Sequence, residues 1–400
     1  VTLMRDRPIV LLSFGHACVD VYQGTVAALV PYFVAERAYG YAAASGVVLA
    51  ASLLSSLVQP LFGALTDRRA LPWLLPLSTL TAGAGVALGG VTDSYPLTLA
   101  AVAAGGVGIA AYHPEAARAA RDAAQGSHTA MGWFSLGGNV GFALAPPLVW
   151  AVVGGGGLGA SWLLALPAVA GAVLCGAAVR SAGAARTAGG RTAVAAGADD
   201  WASFLRLTGA VVCRSVVFVG LSTFVALYVR ERVDGGSAAG TAALFVLYLG
   251  GAVGTVAGGR LADRYGRLKV VRRSYVLTVF AVAGVVLVPG PAVYLFVALT
   301  SAGLYVPFSL HITLGQDYLP RRVGTASGVT LGLAVSVGGL AAPALGALAD
   351  ASSLRTALLP LVALPAVGRL LLCRLREPAT PPAPPAVGSP PARDTGVRGP

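Results

Sequence analysis

The first apolar stretch carries His16, Asp20 and Gln23, whose spacings of four and three put them on one helix face. A carboxylate with an imidazole one turn away can hold and pass a proton. Asp20 lies about twelve residues into its stretch, roughly 16 Å at 1.5 Å per residue, and ionisable groups at such depth are costly and usually functional. Arg214 lies about ten residues into the seventh stretch. An Asp20–Arg214 pair would relieve both desolvation costs, either as a working pair or as a fixed brace between two halves. The fourth stretch ends Tyr112-His113-Pro114-Glu115, followed by Arg118 and Arg121; its proline frees a carbonyl near the inner mouth, nearer the cytoplasm than His16. The tenth carries His311 and ends Gln316-Asp317. The expected proton-coupling set is Asp20, His16 and Glu115. The expected substrate-binding set is Arg214, Gln23, His113 and Asn139. For His311, satisfied packing is the expectation.

The elements that must position these groups are membrane helices. Of 400 residues, 56% are hydrophobic and 11% charged, against about 25% charged in ordinary globular chains. The net charge of +12 would suit nucleic acid, but the charges are sparse and confined to short gaps between apolar runs. Formal charges are absent from 38–66, 70–92, 94–114, 123–179, 235–259, 274–316 and 323–349. A span needs about 20 apolar residues, so 123–179 holds two, turning at the glycines of 154–159. The run 274–316 also holds two, breaking at Pro289-Gly290-Pro291. With polar-dotted spans near 9–35, 205–229 and 355–375, the expectation is an all-α polytopic membrane protein of twelve helices in two six-helix bundles. Arg5 and Arg7 before the first span resemble a signal peptide, but the apolar segment is too long for one and reads as an uncleaved span.

Arg and Lys set the orientation. Fifteen of them (from Arg68 to Arg322) fall in one set of gaps and four (Arg37, Arg230, Arg232, Arg355) in the other, which places both termini in the cytoplasm. The expected organisation is an N-terminal bundle over 1–180, a linker over 181–203, a C-terminal bundle over 204–376 and a disordered tail over 377–400, which holds eight prolines. Cys18, Cys175, Cys213 and Cys373 form neither a disulfide framework nor a zinc pattern, and buried packing is the better reading. No cofactor and no metal are called for.

The halves repeat. Gly63…Asp67-Arg68-Arg69-Ala70 recurs as Gly259…Asp263-Arg264-Tyr265-Gly266-Arg267-Leu268-Lys269 at an offset of 196, and Gly141…Ala145-Pro146 recurs as Gly338…Ala342-Pro343 at 197. The second copy resembles the signature loop of the major facilitator superfamily; the first lacks the second glycine and the trailing bases. A carboxylate at a helix C-terminus sits at the unfavourable dipole end, so Asp67 and Asp263 should seek Arg side chains or a helix N-terminus. Gly63, Asp67, Arg68, Gly259, Asp263, Arg264, Gly266 and Arg267 are accordingly expected to act as a conformational latch.

Several phrases resemble the fosmidomycin-resistance branch of that superfamily: His16-x3-Asp20-x2-Gln23, Gln59-Pro60-x2-Gly63, Pro72-Trp73-x2-Pro76, His113-Pro114-Glu115 and Gly137-Gly138-Asn139-x-Gly141. Gly258-Gly259, Leu319-Pro320 and Ser327-Gly328 add to them in the second half. The resemblance spans about residues 9–375. It implies a bacterial inner-membrane exporter, driven by protons, for fosmidomycin-like phosphonates or other drugs. The partners would be a small-molecule substrate, protons and lipid, with no nucleic acid and a monomeric chain. The rivals are an uptake permease for an organic anion or sugar, an intramembrane enzyme built on His16, Asp20 and His113, and a non-transporting sensor. The residues leave the sign of coupling open, because displacing Asp20 from Arg214 is symport logic whereas substrate binding to ionised Asp20 is antiport. Tyr22, Phe134, Phe218, Tyr228, Tyr248 and Tyr305 are candidates for the pocket wall, with their facing unassigned.

Overall fold

A computed structural model describes residues 7–125, 127–182, 198–322, 325–326 and 328–378. Most of the 181–203 linker and of the tail lie outside the described residues. The described chain is helical throughout. The spans are α1 Arg7–Arg37, α2 Tyr41–Arg68, α3 Leu74–Val91, α4 Tyr95–Ala124, α5 His128–Gly156 and α6 Leu158–Ser181 in the first half. The second half has α7 Trp201–Arg230, α8 Gly236–Tyr265, α9 Arg267–Leu287, α10 Gly290–Tyr318, α11 Ala334–Ala351 and α12 Leu354–Cys373. Eleven of these are long and apolar enough to cross a membrane; α11 contributes a shorter apolar helix, Val337–Ala351, behind a π-helical turn at Gly328–Leu333.

Local chemistry sets the boundaries. The glycine turn after α5 places Gly157 at φ +65°, and the Pro-Gly-Pro break places Gly290 at φ +74°, backbone values that favour glycine. Ser127 caps α5 through the Ala130 amide (3.2 Å), and Asp200 caps α7 through the Ser203 amide (3.0 Å). Hydrogen bonds from Ser203 hold the Asp200 carboxyl below its usual range. Two arginines on the far side from the termini are helix caps. Arg37 donates to Gly90 O (2.9 Å) and Thr92 O at the end of α3, and Arg232 to Val286 O (3.3 Å) at the end of α9. The repeat thus extends to the residues that close the third helix of each half.

The packing is itself two-fold. In the first half α1 lies against α5 and α6, and α4 against α2 and α3; in the second α7 lies against α11 and α12, and α10 against α8 and α9. The halves meet along α2–α11 and α5–α8. Glycines let backbones approach where a Cβ would collide, as at Gly141 against Ala17 O and Gly346 against Tyr41 O (2.6 Å). All four cysteines are free. Cys175 is buried and Cys18 and Cys213 half-buried, but Cys373 is exposed at the end of α12, against the expectation of burial.

The halves are pinned at the face opposite the termini. Asp350, at the end of α11, accepts hydrogen bonds from the Tyr41 (2.7 Å) and Ala42 (2.9 Å) amides at the start of α2, capping a helix of the other half. The Tyr41 hydroxyl donates to Glu231 (3.3 Å). Toward the terminal face the seam loosens. On α2, Ala44, Ser45, Val47 and Val48 are buried, whereas nothing from Ala51 to Leu65 is. Burial along α2 therefore falls off from the pinned face toward the terminal face.

Asp350→Ala removes the α2 cap, at a cost of about 1 kcal/mol. The melting midpoint should fall, and Ser45→Cys in a background lacking Cys373 should react faster with an impermeant thiol reagent. Equal labelling rates with and without Asp350 would show that the pin does not hold the halves.

Candidate functional site

The polar face of α1 meets α4 and α5 in the middle of the first half. The three glycines Gly137, Gly138 and Gly141 draw α5 onto the α1 backbone at Ser13 and Ala17. Gly138 faces the carboxylate: a Cβ there would stand 2.5 Å from Asp20 Oδ2 and 2.6 Å from His16 Cε1. The His16 ring stacks on Phe134 at 4.3 Å, and its Nδ1 sits 2.9 Å from Phe134 O. On α4, His113 Nδ1 sits 2.8 Å from Ile109 O.

These two carbonyls assign the tautomers. A carbonyl only accepts, so both Nδ1 atoms carry hydrogen and both Nε2 atoms turn toward Asp20. His16 Nε2 lies 3.3 Å from Asp20 Oδ2, and His113 Nε2 lies 3.0 Å from Asp20 Oδ1. Gln23 donates its amide to Asp20 Oδ1 at 2.9 Å. A bare Nε2 would aim a lone pair at a carboxylate. A proton on His113 Nε2 makes a charge-assisted hydrogen bond instead, whereas His16 Nε2 faces Oδ2 without one. The ligand atoms of His16, Asp20 and His113 lie within 4.8 Å of one another, near enough to enclose one cation. Two imidazoles and a carboxylate suit a borderline divalent metal as well as protons.

The site is not fully sealed. His16 and Asp20 are 8% and 9% exposed, but Gln23 is exposed in the middle of α1 and the His113 side chain is 24% exposed. One turn beyond Asp20, Gly24 packs on Phe142 O and the Tyr248 ring. There an aromatic seam crosses the halves: Phe142 to Tyr248 at 4.2 Å, Phe142 to Phe218 at 6.2 Å and Phe218 to Tyr305 at 5.6 Å. The seam lies between the site and the pinned face. Tyr22 and Tyr228 are not part of it; their hydroxyls donate to Leu164 O and Val286 O inside their own halves.

Several sequence expectations are corrected. The Asp20–Arg214 pair is not formed. Asp20 turns to α4 and α5 of its own half, while Arg214 donates to Leu304 O (3.1 Å) and lies over the Phe308 ring in the other. His113 is level with Asp20 instead of nearer the terminal face, because α4 runs on to Ala124, ten residues past the apolar run that ended at Pro114. Glu115, two residues on from His113 and so about 200° round the helix, is fully buried and held by a two-point contact with Arg118. Arg118 also reaches Asp122 (2.9 Å). Asn139 donates to Ser135 O (3.1 Å), with its Oδ1 against Gly251 of the other half.

In the signature loop, Gly266 stands at φ +86° and ends α8, which accounts for the glycine. Asp263 is exposed and makes no ion pair among the described residues, contrary to expectation. Arg267 carries the contacts, to Asp317 (2.6 Å) and Glu377 (2.9 Å), and Arg264 lies over the Tyr265 ring. Gly63 and Gly259 have open space at the Cβ position, and Arg68 ends α2. The Asp67 side chain lies outside the described residues. Sequence reasoning missed the Phe134 and Ile109 carbonyls and the steric role of Gly138; only the glycine cluster signalled them, by announcing close α1–α5 packing.

Comparison with known proteins agrees with this architecture. The chain is 28% identical over 375 residues to the uncharacterized MFS-type transporter YfnC of Bacillus subtilis, covering 90% of this chain and 91% of that one. It is 27% identical over 377 residues to the fosmidomycin resistance protein of Escherichia coli, with the same coverage. Among solved structures, a bacterial homologue of the human lysosomal transporter Spinster, in an inward-facing and unoccupied conformation, matches with a TM-score of 0.74 at 15% identity, covering 93% of this chain and 97% of that one. The nucleoside transporter NupG matches with a TM-score of 0.73 at 12% identity, covering 92% and 99%. The pattern described as Major Facilitator Superfamily spans residues 12–343. The chain belongs to the major facilitator superfamily: a multi-pass membrane transporter, not an enzyme.

Proposed function

We propose that the protein is a proton-coupled exporter of a small antibiotic-like molecule such as fosmidomycin, working by alternating access in a bacterial cytoplasmic membrane. The observation that carries this reading is the convergence of His16 Nε2 and His113 Nε2 on Asp20, in a site that is not fully sealed. His113 Nε2 lies within hydrogen-bond reach of Oδ1, and a proton held there bridges it to the carboxylate. A substrate donor that binds Asp20 Oδ1 must replace the His113 bridge and release its proton, so substrate and proton exclude each other. That is antiport. Symport by displacing Asp20 from Arg214 has no starting pair here. Glu115, bound to Arg118, is the weaker second candidate for proton carriage, and Gln23, His113 and Asn139 line the route a substrate takes.

The excess of Arg and Lys on the terminal side supports an orientation with both termini in the cytoplasm. In that orientation the protein is pinned at its outer face and α2 is less buried toward the cytoplasm, the side from which cargo for export loads. The resistance function in the name of the Escherichia coli relative supports the choice of cargo. Rocking the halves about the seam would move the open side outward. The signature loop, through Arg267, Asp317 and Glu377, ties α9 to α10 and the start of the tail, so that the second half moves as one body.

In everted vesicles with an acidic lumen, adding fosmidomycin should alkalinise the lumen, and Asp20→Asn should abolish that signal and the resistance of intact cells. Drug entering in parallel with protons leaving the outside medium would reverse the sign and favour an uptake permease. Asp20→Asn with proton-driven transport intact would remove the triad from the mechanism.

A side chain at position 138 should wedge Asp20 from His16. Gly138→Val is expected to cost about 1–3 kcal/mol by overpacking and to eliminate transport. Gly132→Val, where the Cβ position is open, should keep both. Equal activity in the two variants would mean the triad tolerates being spread.

A further inference from the structure

Two imidazoles and a carboxylate, carried by α1 and α4, turn their ligand atoms toward one spot. Each imidazole is anchored from behind, His16 Nδ1 on Phe134 O (2.9 Å) and His113 Nδ1 on Ile109 O (2.8 Å). A ring nitrogen tied to a backbone carbonyl leaves the other nitrogen as a lone pair in a fixed direction, which is how metal-binding histidines are held. Both Nε2 atoms face Asp20, at 3.3 Å from Oδ2 and 3.0 Å from Oδ1. In a tetrahedral site with bonds of about 2.0–2.2 Å, ligand atoms stand roughly 3.3–3.6 Å apart. The three ligand atoms lie within 4.8 Å of one another, so a modest closing of the imidazoles brings the third edge to that length too.

A single proton does not satisfy this arrangement. On His113 it bridges to Oδ1, but His16 Nε2 is left without a hydrogen-bond partner in a residue only 8% exposed. A buried acceptor without a donor is costly, and this one also faces a carboxylate. A cation between the three atoms satisfies all of them at once, and it needs no cavity beyond the space that the ligands themselves enclose. Gly138 keeps the approach to that space clear: a Cβ there would stand 2.5 Å from Oδ2 and 2.8 Å from His16 Nε2. With two nitrogens and one carboxylate, the set suits Zn²⁺, Co²⁺ or Ni²⁺ over Mg²⁺ and Ca²⁺, which take oxygen ligands. No thiol belongs to the group among the described residues.

We propose that His16 Nε2, His113 Nε2 and the Asp20 carboxylate form a binding site for one divalent transition-metal ion, against the sequence expectation of no metal. Three protein ligands leave a coordination position for water on the side of Gln23, the exposed residue of this face. The ion bonds to the same nitrogen of His113 that holds the bridging proton, so ion and proton compete for it. The site stands on its ligand geometry and does not require that the protein export a drug.

The test uses the full-length protein in detergent, purified without a histidine tag, stripped of metal and carrying Cys373→Ser to remove the exposed thiol. Titration with Co²⁺ should give a visible ligand-field band that saturates at one ion per chain, without a thiolate charge-transfer band, and Zn²⁺ should bleach it. His16→Gln and Asp20→Asn should each lose the band. His113→Cys should keep the ion and add the thiolate charge-transfer band, which places the metal at that position even if the other two variants fail to fold. No saturable band in the wild type, the same band in all three variants, or His113→Cys binding Co²⁺ without the thiolate band overturns the proposal. Drug-driven proton movement in vesicles from a protein that binds no Co²⁺ overturns this inference alone. Co²⁺ binding without such movement leaves the site standing and removes only the export reading.

Discussion

A carboxylate withdrawn from water in the middle of a membrane protein must be neutralised by something near it. In this chain Asp20 meets that demand within its own half, through two imidazoles and an amide. Both imidazoles are fixed from behind by backbone carbonyls, so their reacting nitrogens cannot turn away. The consequence is a site whose charge depends on its proton content and whose geometry does not. Three features keep that geometry: the glycines that bring α5 against α1, the stacked Phe134, and the absence of a side chain at position 138.

The larger architecture handles a different demand. Each bundle keeps its own core. Within each half, α1 or α7 is sheathed by its own neighbours, so the polar groups of α1 find their partners inside their own half. Between the halves the contacts run along α2–α11 and α5–α8. Helix caps add to them at one face, with Asp350 serving the start of α2. A cap is a good coupling element. It is strong enough to hold a closed face, yet breaking it exposes only amides that water satisfies once the halves part.

The superfamily supplies the fold, not the cargo. Structural neighbours at 12–15% identity share the twelve-helix arrangement, while the chemistry specific to this chain is local.

The sequence by itself determined the membrane class, the order and approximate places of the spans and the two-fold repeat, because charge-free runs of span length, turn-forming Gly and Pro, and recurring loop motifs are local properties. It also marked His16, Asp20, Gln23 and His113, since polar groups stand out against apolar surroundings. Only the tertiary structure decided who pairs with whom. Asp20 and Arg214 sit at similar depth on corresponding helices, so depth alone made them partners, but rotation about each helix axis is set by packing, and packing turned them apart. His113 joined the site because α4 continues as a helix beyond its apolar run, and the Arg267 contacts replaced those expected of Asp263 because Gly266 redirects the chain there. Azimuth and continuation are decided by neighbours distant in sequence, which no local pattern records.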